Sequence, residues 1–245
     1  MLAYRVIARL DIKGPNLIKG IQFEGLRVIG NPAQFAKKYA DEGADELLYI
    51  DTVASLYGRS QIHELLDRTV GETFIPVTVG GGIRDHACIR GLFNAGADKL
   101  AFNTAVVERP ERIVEFAERY GRQAIVVSIE AKRVNGGWNV YTDCGRIDSG
   151  KDAVRWADDV ANLGAGELLI TSIDCDGARR GHERELLKQI DVDIPVIYSG
   201  GIRLQDVAEV AEYSDGMAIG TSLHYGDCTI AQVKEELRKA GKEVR

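Results

Sequence analysis

"VTVGGGIRD" at residues 77–85 returns as "VIYSGGIRL" at 196–204, "EGADELLYID" (42–51) returns as "LGAGELLITS" (163–172), and "LDIK" (10–13) returns as "IEAK" (129–132). The offset stays near 120 residues in a chain of 245, so the sequence is written twice. Short apolar runs at 4–11, 46–51, 76–80, 98–103, 123–130, 166–171, 194–199 and 216–220 are predicted to be strands, with helical patterns between them. In "NPAQFAKKYADEGAD", Asn31 suits a helix cap, Pro32 the first turn and Gly43 the helix end; "NAGAD" and "NLGAG" repeat that end signal. Eight βα units imply one parallel sheet closed as a (β/α)8 TIM barrel, a single domain with half-barrels of about 1–121 and 122–245. An open doubly wound sheet uses the same alternation but has no equally natural use for the repeat.

With 45% hydrophobic and 28% charged residues the chain can bury a sizeable core, and its formal net charge of −6 makes a nucleic-acid partner unexpected. The first residues hold too short an apolar run for a secretory leader, and no run reaches a membrane span. Cys88, Cys144, Cys175 and Cys228 form no C-x-x-C, and His63, His86, His182 and His224 have no ligand spacing. A cytoplasmic protein with free thiols, no metal and no cofactor is expected.

In a barrel of this kind the C-terminal strand ends carry the chemistry. Gly81 and Gly82 end the third strand, and Asn103 and Thr104 end the fourth. Ser199, Gly200 and Gly201 repeat that arrangement on the seventh, with Gly220, Thr221 and Ser222 on the eighth and Asp176-Gly177 alongside after the sixth. Glycines let backbone N–H groups approach an anion. A lone glycine pair reads equally well as a tight turn. Two pairs on opposite sides of the ring predict one elongated ligand with a phosphate at each end. Asp11 and Glu130 end the first and fifth strands and would flank its middle as an acid–base pair; each could instead pair with its neighbouring lysine, Lys13 or Lys132. Asp51, Thr171 and Ser172 add polar groups at the same face, and Lys19, in the long segment 12–31, can reach over the ligand. A second long segment, 131–148, contains the hairpin signal "NGGW". At the opposite end, Arg5, Glu46, Lys99 and Glu167 fall near strand starts, where two cations and two anions can meet as a structural plug or as a gate.

The phrases "RLDIK", "LIKGIQFEGLRVIGNP", "AGADKLAFNTAVV", "YTDCGR", "GAGELLITSIDCDGARRG" and "HYGDCTI", with those already quoted, make the whole chain resemble the cyclase (lyase) subunit family of imidazole glycerol phosphate synthase, HisF. The resemblance implies a bisphosphate ribonucleotide substrate and ammonia from a glutaminase (HisH-like) partner at the N-terminal barrel face. It implies catalytic roles for Asp11 and the residue at 130, an ammonia gate at Arg5, Glu46, Lys99 and Glu167, and a partner contact at Asp98. The sequence departs from the family pattern near the catalytic face. Glu130 replaces an aspartate, Arg9 a small residue, Gly14-Pro15-Asn16 the usual "DGR", and Tyr57 the acidic residue before Gly58. By strand alternation Arg9 shares the inward face with Asp11 and would depress its pKa. These departures leave a second expectation open: a cyclase-like paralogue passing ammonia to a sugar-amidating synthetase in surface polysaccharide synthesis.

Overall fold

The computed structural model describes residues 3–54 and 62–245; Tyr57 and Gly58 lie outside them. The barrel strands are β1 (Arg5–Lys13), β2 (Glu46–Asp51), β3 (Val77–Gly80), β4 (Lys99–Phe102), β5 (Ile125–Val134), β6 (Glu167–Ser172), β7 (Val196–Ser199) and β8 (Gly216–Ile219). Among the described residues these eight run parallel in chain order, and the pairing of β8 with β1 closes the ring. The closed (β/α)8 barrel is the architecture that the repeat predicts, and the open-sheet alternative falls.

Local signals explain the helix boundaries. Asn31 Oδ1 accepts from the Ala33 and Gln34 backbone N–H groups, Pro32 opens the helix Pro32–Asp41, and Gly43 leaves it at φ 90°. Gly96 and Gly164 take matching φ values of 100° and 101° at the equivalent turns. The aspartate that often follows fixes strand starts: Asp45, Asp98 and Asp215 each accept from the first or second N–H of a neighbouring strand, at Val6, Val77 and Val196. Gly166 takes that place in "GAGE" because a Cβ there would lie 1.9 Å from Arg122 O.

Two shells of apolar residues form the core. One lies between the strands and the helices and includes Tyr39, Tyr49, Phe102, Phe116, Trp156 and Tyr198. The other fills the barrel interior with Ile7, Leu48, Ala101, Val126, Leu169, Ile197 and Ala218. Polar layers sit at both ends of that inner plug.

Both long segments are structured. β1 runs two residues past Asp11 and continues into an antiparallel hairpin, Asn16–Ile21 with Glu24–Gly30; the sequence indicated only a long loop there. β5 extends to Val134 and pairs with Gly137–Thr142, which pairs with Ile147–Asp152. The start of β5 is later than the apolar pattern suggests, because Gly121 at φ 88° and a 3-10 turn at Arg122–Ala124 come first. Among the described residues, no helix is long and apolar enough to cross a membrane, and no group of three or more His, Cys, Asp or Glu is placed to hold a metal ion.

Candidate active site

The glycine pairs fold as the repeat demands. Gly81 and Gly82 take φ 103° and 66°; Gly200 and Gly201 take 110° and 72°. Each pair turns against the preceding strand: a Cβ on Gly81 would lie 2.2 Å from Asp51 O, and one on Gly200 2.7 Å from Ser172 O. Only glycine satisfies both the positive φ and the close approach. Asp51 holds its own turn, its Oδ1 accepting from the Val53 and Ala54 N–H groups.

The two half-sites line different cavities. Gly81, Gly82, Asn103, Thr104, Asp51, Ser128 and Glu130 line a cavity of about 370 Å³. Asp176, Gly177, Ser199, Gly200, Gly201, Gly220, Thr221 and Ser222 line one of about 20 Å³, and Gly177 and Thr221 also border one of about 580 Å³ with Lys19 and Arg179. In the first, Asn103 Nδ2 donates to Tyr141 O and its Oδ1 has no partner; Thr104 Oγ1 accepts from Asp143 N. In the second, Thr221 Oγ1 is also buried without a partner, and Ser222 Oγ donates to Ile202 O. Thr171 and Ser172 line neither cavity. The Thr171 hydroxyl serves Arg9, and Ser172 supplies the carbonyl against which Gly200 turns.

A chain of four buried charges crosses the middle of the mouth. Arg9 Nε donates to Asp11 Oδ1 at 2.8 Å, and its Nη1 donates to Thr171 Oγ1 at 3.0 Å and Ser199 Oγ at 3.2 Å. Lys19 Nζ donates to Asp11 Oδ2 at 2.7 Å and to both oxygens of Asp176 at 2.9 Å. Asp11 therefore pairs with Arg9 and Lys19, not with Lys13. Lys19, on the first strand of the first hairpin, is buried and lines a cavity with Gly177 and Thr221. Burial alone would raise the Asp11 pKa, but the Arg9 and Lys19 charges outweigh it and hold the carboxyl far below the usual range. Glu130 is different. Burial pushes it up to about 7 against the opposing pull of Arg9, Asn103 and the Gly145 N–H, and its Oε2 has no partner. Lys132 does not pair with it and lies over the Tyr141 ring.

The two hairpins meet above this chain. Phe23, at the first tip, lies 5.7 Å from the Arg9 guanidinium, and a Cβ on Gly145 in the second would lie 2.8 Å from the Phe23 ring. Gln22 and Phe23 at one tip and Asp143 and Cys144 at the other all have positive φ, between 49° and 66°. The first hairpin is docked on the loop after β6: Gln22 N donates to Asp176 O, and Gln22 Nε2 to Asp174 O.

At the opposite end, Arg5, Glu46, Lys99 and Glu167 close a ring of ion pairs. Arg5 bridges Glu46, at 3.0 Å, and Glu167; Lys99 bridges the same two carboxylates at 3.2 and 3.1 Å. Asp98 is exposed on this face while one of its oxygens receives the Val77 N–H.

The family model described as "Histidine biosynthesis protein" matches residues 5–229. The imidazole glycerol phosphate synthase subunit HisF of Legionella pneumophila is 56% identical over 201 residues, covering 81% of this chain and 95% of that one. The chain belongs to the HisF family. The subunit of the same name from Bacillus cereus (strain ATCC 10987 / NRS 248) is 45% identical over the whole of both chains. These relatives favour the histidine-pathway expectation over the surface-sugar one.

Some cavity residues carry no local signal in the sequence. Arg112, from the helix Glu111–Tyr120, and Arg84, inside the repeated "GGGIR", both line the open half-site. Arg84 has a mate in the repeat, Arg203, which is committed to Asp206 instead. Arg112 reaches the cavity only through the three-dimensional fold.

Proposed function

We propose that this chain is the cyclase (lyase) subunit of imidazole glycerol phosphate synthase and acts in histidine biosynthesis. The observation that carries this reading is the pair of glycine-built half-sites on opposite sides of one barrel mouth, with Asp11 and Glu130 between them. One bisphosphate ribonucleotide spans the mouth. One phosphate is held by Gly81, Gly82, Asn103 and Thr104, and the other by Gly177, Gly200, Gly201, Gly220, Thr221 and Ser222, through backbone N–H groups and hydroxyls. The reaction adds ammonia and splits the substrate into imidazole glycerol phosphate and an aminoimidazole carboxamide ribonucleotide. That requires proton transfer near the middle of the ligand, where the carboxyl groups stand.

Ammonia comes from a glutaminase (HisH-like) subunit docked on the N-terminal face. Asp98 contributes to that interface. The Arg5–Glu46–Lys99–Glu167 ring serves as the gate, and the apolar plug behind it excludes water. The half-barrels 1–121 and 122–245 each supply one phosphate site and one carboxyl group, and the protein works in the cytoplasm.

The test is to give the purified chain the bisphosphate ribonucleotide and an ammonium salt at alkaline pH, with no partner present. Substrate loss with release of the two products supports the reading. A folded chain that consumes no substrate contradicts it and returns the ammonia-passing alternative.

A further inference from the structure

The carboxyl groups at the mouth are not equivalent. Both oxygens of Asp11 are taken by cations, Oδ1 by Arg9 and Oδ2 by Lys19. Those cations are themselves anchored, Arg9 on Thr171 and Ser199 and Lys19 on Asp176. Each Asp11 oxygen thus carries a cation, so protonating this carboxyl group would disrupt a buried ion pair. Glu130 is also buried, lines the open cavity, and keeps Oε2 without a partner.

We propose that Arg9 is a positioning residue that, with Lys19, locks Asp11 as a permanent anion, so that Glu130 alone exchanges protons with the ligand at this mouth. The proton leaves a ligand N–H or O–H for the ionised Glu130 Oε2. The neutral acid then returns it to the departing group, and the carboxyl ends the cycle as it began. Asp11 keeps its charge throughout and serves to orient Lys19 and Arg9. Glu130 lines both the open cavity and the smaller space that Arg9 and Asp11 border, so it stands between the ligand site and the clamp.

The groups around Glu130 shape its titration. Arg9 and Asp11 face it from β1, and Asp51 lines the same cavity from the end of β2. Asp143, Cys144 and Arg146 approach from the second hairpin, and Asp176 from the loop after β6. Asn103 and the Gly145 N–H lie close enough to favour its ionised form. Burial dominates this set and places its pKa at about 7, whereas Asp11 is driven far down by its two cations.

The first arm of the test is independent of the cyclase reading. Carboxyl ¹³C NMR of the labelled chain between pH 4 and 9 is expected to show one carboxyl titrating near pH 7 that disappears in Glu130→Gln. The resonance missing from Asp11→Asn is expected to stay at its ionised position throughout. Arg9→Met, which keeps Asp11 in place, is expected to move the Glu130 midpoint upward. A near-neutral titration that vanishes in Asp11→Asn, or that stays in place in Arg9→Met, overturns the proposal.

The second arm rests on the cyclase reading and measures ammonium-supported turnover at fixed free ammonia. Glu130→Gln is expected to lose about a hundredfold or more and the inflection near pH 7. Asp11→Asn, though slower, is expected to keep that inflection; its loss in Asp11→Asn contradicts the proposal. If the wild type shows no turnover while the NMR arm holds, the cyclase reading fails and the division between the carboxyl groups stands.

Discussion

The two glycine turns come from one repeated phrase, yet their surroundings differ: Gly81 and Gly82 line a cavity of about 370 Å³, whereas Gly200 and Gly201 line one of about 20 Å³ beside a larger space of about 580 Å³ bordered by Gly177 and Thr221. The glycine turns are the same in both to within a few degrees of φ. The difference lies in what was added around the repeat. The first hairpin docks on the Asp174–Gly177 loop, its buried Lys19 ties Asp11 to Asp176, and Gly20 O sits where a side chain on Gly177 would be. At the first turn the second hairpin makes the contacts, through Asn103–Tyr141 and Thr104–Asp143. A repeated scaffold thus supplies the paired glycine turns, and insertions at the strand ends give each copy its own surroundings.

The most damaging way to break this comparison is Asp11→Ala. It leaves Arg9 and Lys19 buried around a missing anion, and a loss of about 3–5 kcal/mol in unfolding free energy is expected from urea denaturation. A loss below about 1 kcal/mol would mean that the clamp on the second half-site is not held by these pairs.

The open side should respond in the opposite sense. A carboxyl group whose pKa rises from 4.5 unfolded to about 7 folded binds its proton more tightly in the native state. Its contribution is fully present below the unfolded value and is lost as the pH climbs through 7. Glu130→Gln is therefore expected to stabilise the fold above pH 7 relative to wild type, by at most ~3 kcal/mol, with little difference near pH 4. Thermal melts at the two pH values check this. The Asp11 effect runs the other way: a depressed carboxyl pKa gives stability present above the unfolded value and lost as the pH falls through the folded one.

A smaller change tests the cover itself. Phe23→Ala removes the ring beside Arg9 and the contact at Gly145, at an expected cost of ~1–2 kcal/mol. Inorganic phosphate should then bind the second half-site more tightly, while affinity at the first stays unchanged. Phosphorus NMR titration reads both.

The legible part of this molecule was whatever depends on local pattern. "VGGGIR" and "YSGGIR" disclosed the paired turns because positive φ and close backbone approach select glycine, and the GAD/GAG punctuation disclosed the strand starts. Alternation along β1 placed Arg9 beside Asp11, as the structure shows. What stayed hidden depends on contacts across the chain. The bridge from Lys19 to Asp176 joins residues 157 positions apart. The tip of the first hairpin turns through Gln22 and Phe23 at positive φ, where the sequence offers no glycine until Gly25. A non-glycine residue in that region is a feature of tertiary constraint, and no local signal announces it.

The central claim is that both glycine turns hold one and the same ligand. Calorimetric titration of the bisphosphate ribonucleotide, without ammonia, into the wild type, Gly81→Val and Gly200→Val tests it most directly. One molecule per chain is expected for the wild type. Each variant should bind about ten- to a hundredfold more weakly, the loss of ~1.5–3 kcal/mol expected when hydrogen bonds to one charged phosphate are disrupted. Two molecules bound per chain, or full affinity in either variant, would contradict the account.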